Sequence, residues 1–138
     1  MIHYVDNPEI TLVDVLPIYE AVGWTNYTQN PGMLEVAYKN SLHVLAAFNE
    51  EGILVGVLRA VGDATSILFI QDILVYPEYQ HQGIGTKLLQ QTLEKYKNVY
   101  QIQLATDDSK KTVSFYESNG FTSLTSLNCI SFMYTGNQ

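Results

Sequence analysis

The sequence contains one cysteine, Cys129, and only three histidines: His3, His43 and His81. A single cysteine excludes a disulfide framework within the chain and a cysteine-rich zinc site. The three histidines are scattered and do not show the spacing of metal ligands. We therefore expect a protein that holds no metal.

Long apolar runs and basic side chains are also scarce. No apolar stretch approaches the roughly 18 to 20 residues that span a bilayer, and the first ten residues, MIHYVDNPEI, lack the regions of a signal peptide. Seven basic residues against fourteen acidic ones give a net charge of −7, which argues against nucleic-acid binding. These features predict a cytoplasmic protein that binds neither membranes nor nucleic acids.

The charge is unevenly divided along the chain. Residues 1–72 carry two basic and nine acidic side chains, whereas residues 73–138 carry five of each. One interpretation is ordinary solvation of surface loops. The other is that the first half attracts a cation and the second half binds an anion.

The order of strand-like and helix-like segments is β-α-α-β-β-β-α-β-α-β, which predicts an α/β fold with a mixed sheet. With no repeat or linker in its 138 residues, the chain is expected to form a single domain, residues 1–138. The predicted helices are residues 11–24, 30–41, 83–97 and 109–120, and the last one or two strands lie in 121–134. Pro17 requires either a first helix that begins near Asp14 or a kink. Cys129 is expected to be a buried strand residue.

Two glycines stand where the third of these helices begins, in the stretch QHQGIGTK, residues 80–87. Glycine is costly in a helix unless something must approach the backbone, and free amides at a helix start bind phosphate. A Rossmann fingerprint would need a third glycine at Leu88, and a P-loop would need Gly-Lys-Ser/Thr, whereas this chain has Gly85-Thr86-Lys87. Gly83 and Gly85 therefore predict either a phosphate site of another kind or close helix packing.

The flanking residues make the pattern specific. The stretch Val75-Tyr76-Pro77 followed by Gln80-x-x-Gly83-x-Gly85 resembles the acetyl-CoA signature of the GNAT superfamily of N-acetyltransferases. The stretch Phe115-Tyr116-x-x-x-Gly120-Phe121 is similar to the second signature of that superfamily. The resemblance covers nearly the whole chain and implies the GNAT fold, a central mixed sheet flanked by helices. Shorter stretches at 22–24, 40–41 and 70–73 resemble a small bacterial branch, similar to plant plastid enzymes that acetylate arylalkylamines such as serotonin.

The resemblance implies that acetyl-CoA is the co-substrate and assigns residues to it. The backbone of Ile73 and Val75 would pair with the pantetheine arm, and a strand N–H near residue 74 or 75 would meet the thioester oxygen. Ser109 stands where the family often carries Asn, and would bind a pantetheine carbonyl or only cap its helix. The pyrophosphate would be held by main-chain amides in the loop formed by Gln80, His81, Gln82, Gly83, Ile84, Gly85 and Thr86.

The same resemblance assigns the chemistry. Tyr116 matches the general acid that protonates the leaving thiolate, either by sharing its proton or with a lowered pKa. The base is open, because the family positions for it match Phe69 and Gln71 and neither side chain can accept the proton. Asp72 is nearby but on the opposite face of the strand unless a bulge intervenes, and Asp107, Asp108 or a water chain are alternatives. Trp24, Tyr27 and Gln71 are candidates for the amine pocket, and the two aromatic residues have ordinary packing as their alternative.

The sequence thus predicts an acyltransferase that moves an acetyl group from acetyl-CoA directly to a primary amine of a small molecule, arylalkylamine or polyamine-like. The alternatives are a protein or peptide N-acetyltransferase and a catalytically silent regulator that binds acyl-CoA. Dimers are common in the family, so a homodimer is an option that the resemblance adds.

Overall fold

The computed structural model describes residues 1–136, which form two compact units. The first unit is Met1–Ala105 and the second begins at Thr106. The first unit holds the strands β1 (His3–Asp6), β2 (His43–Phe48), β3 (Leu54–Gly62), β4 (Ile67–Val75) and β5 (Gln101–Leu104), with the helices α1 (Leu12–Ala21), α2 (Thr25–Thr28), α3 (Pro31–Lys39) and α4 (Ile84–Lys95). The second unit holds α5 (Lys110–Ser118) and a 3₁₀ turn at Leu124–Leu127.

The five strands form one sheet in the order β1-β2-β3-β4-β5. The first three pairings are antiparallel, and the last, between β4 and β5, is parallel. This confirms the predicted mixed sheet. Parallel neighbours need a crossover, and α4 supplies it.

Helices cover both faces of this sheet. Val57 of β3 packs with Ile18 and Tyr19 of α1 and Leu34 of α3, all fully buried. The neighbouring Gly56 points the other way, where an added Cβ would lie 3.0 Å from Ile84 of α4. Because successive strand residues face opposite sides, α1 and α3 cover one face and α4 covers the other.

A bulge interrupts β4 at Gln71. In the ladder with β3, Arg59 is opposite Asp72 and Ala60 is opposite Ile70, so Gln71 has no partner and is exposed. Residues paired across an antiparallel ladder share a face. The bulge therefore turns Asp72 to the α1 and α3 face, whereas Ile70 faces α4.

Asp72 forms a buried ion pair with Arg59 on that face. Its Oδ2 lies 2.9 Å from Arg59 Nε, and the two side chains are 2% and 6% exposed. Tyr19 donates a hydrogen bond to Oδ2 at 2.8 Å and Tyr27 donates one to Oδ1 at 3.1 Å. Burial acts to lower the pKa of Arg59, but Asp72 outweighs it and the pKa is raised. Both carboxylate oxygens are thus engaged.

Several predicted boundaries need correction. The helix α1 begins at Leu12, not near Asp14, so that Pro17 lies inside it, and its start is fixed by Asp14, which accepts a hydrogen bond from the Thr11 amide at 2.8 Å. The short helix α2 was not predicted. Residues 121–136 form no strand, and Cys129 is exposed. No helix in residues 1–136 has the length and apolarity to cross a bilayer.

We predict that Asp72→Asn destabilises the protein by about 3–5 kcal/mol, because it leaves the Arg59 charge buried without a counter-charge. The double variant Asp72→Leu with Arg59→Met removes both charges and should lose much less. Urea unfolding monitored by circular dichroism measures both losses.

The matched control is Glu9→Gln, which removes an exposed carboxylate of the same unit and should change the free energy of unfolding by less than about 0.5 kcal/mol. A double variant as unstable as Asp72→Asn would contradict this explanation, since packing and not the uncompensated charge would then account for the loss.

Candidate functional site

The turn between β4 and α4 depends on the backbone conformation of Gly83. Gly83 caps the N-terminus of α4 with φ of +82°, in the left-handed region that side chains disfavour. An added Cβ would meet nothing within 4 Å. The conformation of the turn therefore favours glycine here, and the missing side chain also leaves the space in front of the helix open.

Six consecutive amides in this turn have no acceptor. Within residues 1–136, none of the main-chain N–H groups of residues 81–86 donates a hydrogen bond, and the first bond into α4 runs from the Lys87 amide to the Gly83 carbonyl. Such groups at a helix N-terminus, together with the positive end of the helix dipole, favour an anion. The turn offers the donors that a phosphate group needs.

Side chains of the same turn brace it against the end of β4. The amide group of Gln80 donates to the Val75 carbonyl at 3.1 Å, and that of Gln82 donates to the Glu78 carbonyl at 3.4 Å. Both side chains are on the surface. The main chain of the turn, and not these two amide side chains, is left to meet a ligand.

Within residues 1–136, a second set of main-chain groups, which no strand pairs with, lies along β4, and among them the Val75 carbonyl accepts only the Gln80 side chain. The parallel pairing with β5 ends at the pair Ile70–Leu104, although β4 continues to Val75. On its other side, β4 stays paired with β3 as far as Gly56–Val75. Residues 71–75 therefore present one edge that no strand of the described chain pairs with, and an extended ligand can add to such an edge.

The ion pair with Arg59 does not support Asp72 as a base. The bulge at Gln71 does turn Asp72 to the face of Phe69, because their ladder partners Arg59 and Val61 share a face. Its two oxygens, however, already accept hydrogen bonds from Arg59, Tyr19 and Tyr27. Protonation of Asp72 would remove its negative charge and so break the ion pair with Arg59.

Trp24 and Tyr27 belong to the aromatic shell around this ion pair. Both are half-buried, and their rings lie 6.0 Å and 5.0 Å from the Tyr19 ring, edge to face. Tyr19 also shares a hydrogen bond of 2.9 Å with Tyr38. Burial is the main reason that the pKa of Tyr19 rises far above its usual value. Trp24 and Tyr27 thus have the packing role that was predicted as their alternative. Gln71, the third predicted pocket residue, is exposed on the bulge.

In the second unit, Ser109 caps α5. Its hydroxyl accepts a hydrogen bond from the Thr112 amide at 3.3 Å and donates one to Thr112 Oγ1 at 2.9 Å. The Ser109 amide donates to Asp107 at 2.9 Å, and hydrogen bonds from Ser109 hold the pKa of the Asp107 carboxyl below its usual value. The capping role of Ser109 is confirmed, and Asp107 is part of the same cap.

Tyr116 is the buried residue of α5. Its ring packs edge to face with Phe115 at 5.0 Å and with Phe121 at 5.8 Å, and the side chain is 9% exposed. Burial, with a smaller effect from Asp107, raises the pKa of Tyr116 to about 12. A lowered pKa was one of the two ways in which Tyr116 was predicted to act as a general acid. That option is wrong for this structure, and Tyr116 stays protonated at neutral pH.

Comparison with known proteins identifies the family. Residues 39–123 match the family described as Acetyltransferase (GNAT) domain. A GNAT-family acetyltransferase of Streptococcus pneumoniae TIGR4 has a structure 40% identical in sequence, with a TM-score of 0.90 over 100% of both chains. An uncharacterised N-acetyltransferase, ycf52, of Gracilaria tenuistipitata var. liui is 28% identical over 83% of this chain and 64% of its own length.

A more distant structure shares the fold. The PaiA N-acetyltransferase of Thermoplasma acidophilum, solved in complex with coenzyme A, is 18% identical with a TM-score of 0.71 over 89% of this chain and 91% of its own. The chain spans about two thirds of the length of the algal relative. The family match covers well over half of the sequence, including both glycines of the turn and the Phe-Tyr stretch of α5. This chain belongs to the GNAT acetyltransferase family.

Proposed function

We propose that the protein transfers an acetyl group from acetyl-CoA directly to a primary amine of a small molecule. The observation that carries the proposal is the run of six unpaired amides at residues 81–86, which lead into α4 and follow the free edge of β4 after a single 3₁₀ turn at Pro77–Tyr79. Main-chain donors followed by an extended edge suit a ligand with a pyrophosphate and an amide-containing arm. Acetyl-CoA supplies the activated acetyl group.

The turn from Gln80 to Thr86 is proposed to bind the pyrophosphate. The amides of His81, Gln82, Gly83, Ile84, Gly85 and Thr86 donate, and the dipole of α4 adds a positive potential. Hydrogen bonds from amides to an anion contribute about 1.5–3 kcal/mol each. The net charge of −7 does not prevent this, because charges beyond about 10 Å are screened at physiological salt.

The free edge of β4 is proposed to bind the pantetheine arm. Ile73 and Val75 are half-buried and remain paired with β3 on their other side, so their main chain is held in place. A strand N–H at residue 74 or 75 would then stabilise the oxyanion as the carbonyl is attacked. The bulge at Gln71 sets the direction in which these groups point.

Tyr116 is proposed as the general acid. With a pKa of about 12 it holds its proton throughout the neutral range, but complete transfer to a thiolate of pKa about 8.5 would be uphill by roughly 5 kcal/mol. Tyr116 therefore donates a hydrogen bond that strengthens as charge develops on the sulfur. Ser109 keeps its place in the proposal as a contact of the pantetheine arm: its hydroxyl would bind a pantetheine carbonyl if it turned its proton away from Thr112 Oγ1, to which it now donates.

The amine must lose a proton before or during attack. Asp72 is paired with Arg59 and Asp107 caps α5. We therefore propose that water receives this proton. Among the predicted carboxylates, Asp108 is the one that remains as an alternative acceptor.

An arylalkylamine or polyamine-like substrate is proposed because the first half of the chain is acidic and aromatic. Trp24 and Tyr27 supply half-buried rings, and the Tyr27 hydroxyl reaches Asp72, the residue after the exposed Gln71. Residues 1–72 carry nine acidic side chains against two basic ones. The short resemblance to the branch that includes plant plastid enzymes also supports it. A screen of primary amines for release of free CoA tests the proposal. Tight binding of acetyl-CoA with no release for any amine would indicate a silent regulator instead.

The first prediction from the proposed function concerns Gly83→Glu. A carboxylate at the start of α4 repels the pyrophosphate and occupies the open space before the amides, so affinity for acetyl-CoA should fall by at least about 100-fold, or roughly 2.7 kcal/mol. Isothermal titration calorimetry measures the change.

The control is Gly52→Glu in the turn between β2 and β3. Gly52 has φ of +78° and equally open surroundings, so the control carries the same backbone strain and the same charge. It should bind acetyl-CoA as the unmodified protein does. Equal affinities for the two variants would contradict the phosphate site.

The second prediction concerns substrate charge. If acidic side chains of residues 1–72 attract a cationic amine, KM for that amine should rise with salt, because screening weakens the attraction. KM for an amine that is uncharged at the assay pH should rise less. Steady-state kinetics from 50 to 500 mM NaCl compares the two, and identical salt responses would contradict a role of the charge asymmetry.

The third prediction concerns Tyr116→Phe, which keeps the ring that packs with Phe115 and Phe121. Loss of the acid should lower kcat by roughly 100-fold or more and leave KM for acetyl-CoA nearly unchanged. Tyr100→Phe removes a hydroxyl from a tyrosine that is 81% exposed and should have no effect. A higher KM at unchanged kcat would instead make the hydroxyl a ligand of bound acetyl-CoA.

A further inference from the structure

Hydrogen bonds to β3 determine which main-chain groups of β4 face its open edge. The Tyr76 amide, directly after β4, donates to the Val55 carbonyl of β3 at 2.9 Å. Residues 72–75 keep the same register with β3, and opposite positions of an antiparallel pair alternate between hydrogen-bonded and non-hydrogen-bonded. The N–H and C=O groups of residues 72 and 74 therefore point to β3, whereas those of residues 73 and 75 point to the open edge.

A side-chain contact agrees with this assignment. The Val75 carbonyl accepts the amide group of Gln80 at 3.1 Å, on the side of the strand away from β3. Of the two amides proposed to stabilise the oxyanion, that of Val75 thus faces the open edge and that of Leu74 faces β3. The proposed site therefore depends on the register that β4 adopts after its bulge.

The apolar residues after the bulge do not determine this register. Ile73, Leu74 and Val75 are all apolar, so either set of alternating side chains could face α1 and α3. A shift by one residue moves each side chain to the opposite face, and register is weakly specified where the two faces are alike. On these three residues alone, a bulge nearer to residue 75 would also bury apolar side chains on both faces, with Tyr76 still in place.

Asp72 is the residue that distinguishes the two registers. With the bulge at Gln71, its carboxylate faces α1 and α3, where it forms the ion pair of 2.9 Å with Arg59 and accepts hydrogen bonds from Tyr19 and Tyr27. With the bulge beyond residue 72, the carboxylate would face α4 instead. Arg59 would then be buried without a counter-charge, and a buried charge that has lost its partner is strongly destabilising.

We propose that Asp72 and Arg59 are positioning residues, whose ion pair holds the bulge at Gln71 and thereby directs the amides of Ile73 and Val75 to the open edge. The consequence for catalysis rests on the proposed binding of acetyl-CoA at that edge. In this role neither charged side chain contacts the co-substrate or transfers a proton. Both act through the direction of the main chain.

Amide hydrogen exchange of the unliganded protein, followed by NMR, tests the register without relying on the proposed function. In the unmodified protein the amides of residues 72 and 74 should be protected, and those of residues 73 and 75 should exchange fast. In the double variant Asp72→Leu with Arg59→Met, the bulge is free to move, so protection at 72 and 74 should fall by at least about tenfold relative to residues 45–47 of β2. Unchanged protection at 72 and 74 would overturn the proposal.

Calorimetry with two ligands tests the consequence for binding. The double variant should bind acetyl-CoA at least about tenfold more weakly than the unmodified protein, because the edge groups no longer face the pantetheine arm. It should bind the phosphoadenosine diphosphate part of coenzyme A, which lacks that arm, with unchanged affinity, because the turn at residues 81–86 is not altered. Equal affinities of the two proteins for acetyl-CoA would overturn the proposal. An unmodified protein that shows the expected exchange pattern but binds neither ligand would contradict the proposed function and would still support the register assignment.

Two further variants separate positioning from loss of packing. Asp6→Leu with Lys95→Met removes the ion pair of 2.6 Å between β1 and α4, which is the same chemical change away from β4, and should leave both readouts unchanged. Arg59→Lys keeps a cation opposite Asp72, so it should restore the exchange pattern and most of the affinity that the double variant loses. An Arg59→Lys variant that binds acetyl-CoA as weakly as the double variant would overturn the proposal, since the counter-charge would then not be the property that matters.

Discussion

The proposed function of this protein depends on main-chain hydrogen-bonding groups that the fold leaves without partners. Every buried or ordered N–H and C=O group needs a partner, and sheets and helices normally supply it. Here the pairing of β4 with β5 stops at Ile70–Leu104, and the next helix opens with six free amides at residues 81–86. One continuous stretch of backbone, from residue 71 to residue 86, thus includes both an open strand edge and a helix start with free main-chain donors. The proposed binding of acetyl-CoA follows from that stretch, and the side chains within it mainly hold it in position.

The ion pair of Arg59 with Asp72 is part of how the open edge is held. A bulge at Gln71 changes the face that β4 presents, and the ion pair lies directly after it, fixed by the hydroxyls of Tyr19 and Tyr27. A charged pair so fully buried is costly to form and costly to break. It therefore favours one position of β4 relative to β3. The Asp72 carboxylate therefore lies near the free edge of β4 but is unsuited to accept a proton, because it is held in the ion pair.

The sequence predicted those parts of the fold that depend on local chemistry. The glycine turn, the start of α4 within one residue of the predicted residue 83 and the Ser109 cap all follow from residues within one helical turn of the feature they form. The partner of Asp72 could not be found in this way, because Arg59 is 13 residues away and is brought opposite only by the bulge. Helix α2 and the position of Pro17 inside α1 depend on packing against the sheet, which local propensity does not describe. The predicted strand in residues 121–134 has the right pattern, but residues 121–136 form no strand, because an alternating pattern alone does not supply the neighbouring strand that pairing requires.

The most direct test of the central claim is a titration of the ¹⁵N-labelled protein with acetyl-CoA, followed by ¹H–¹⁵N correlation spectra. If unpaired main-chain amides bind the co-substrate, the resonances of residues 81–86 should move downfield as their N–H groups gain charged acceptors. Amides within 71–75 should move with the same apparent dissociation constant. Residues 45–47 of β2, which are paired on both sides, should stay in place. Saturable shifts that leave 81–86 unmoved would contradict the account.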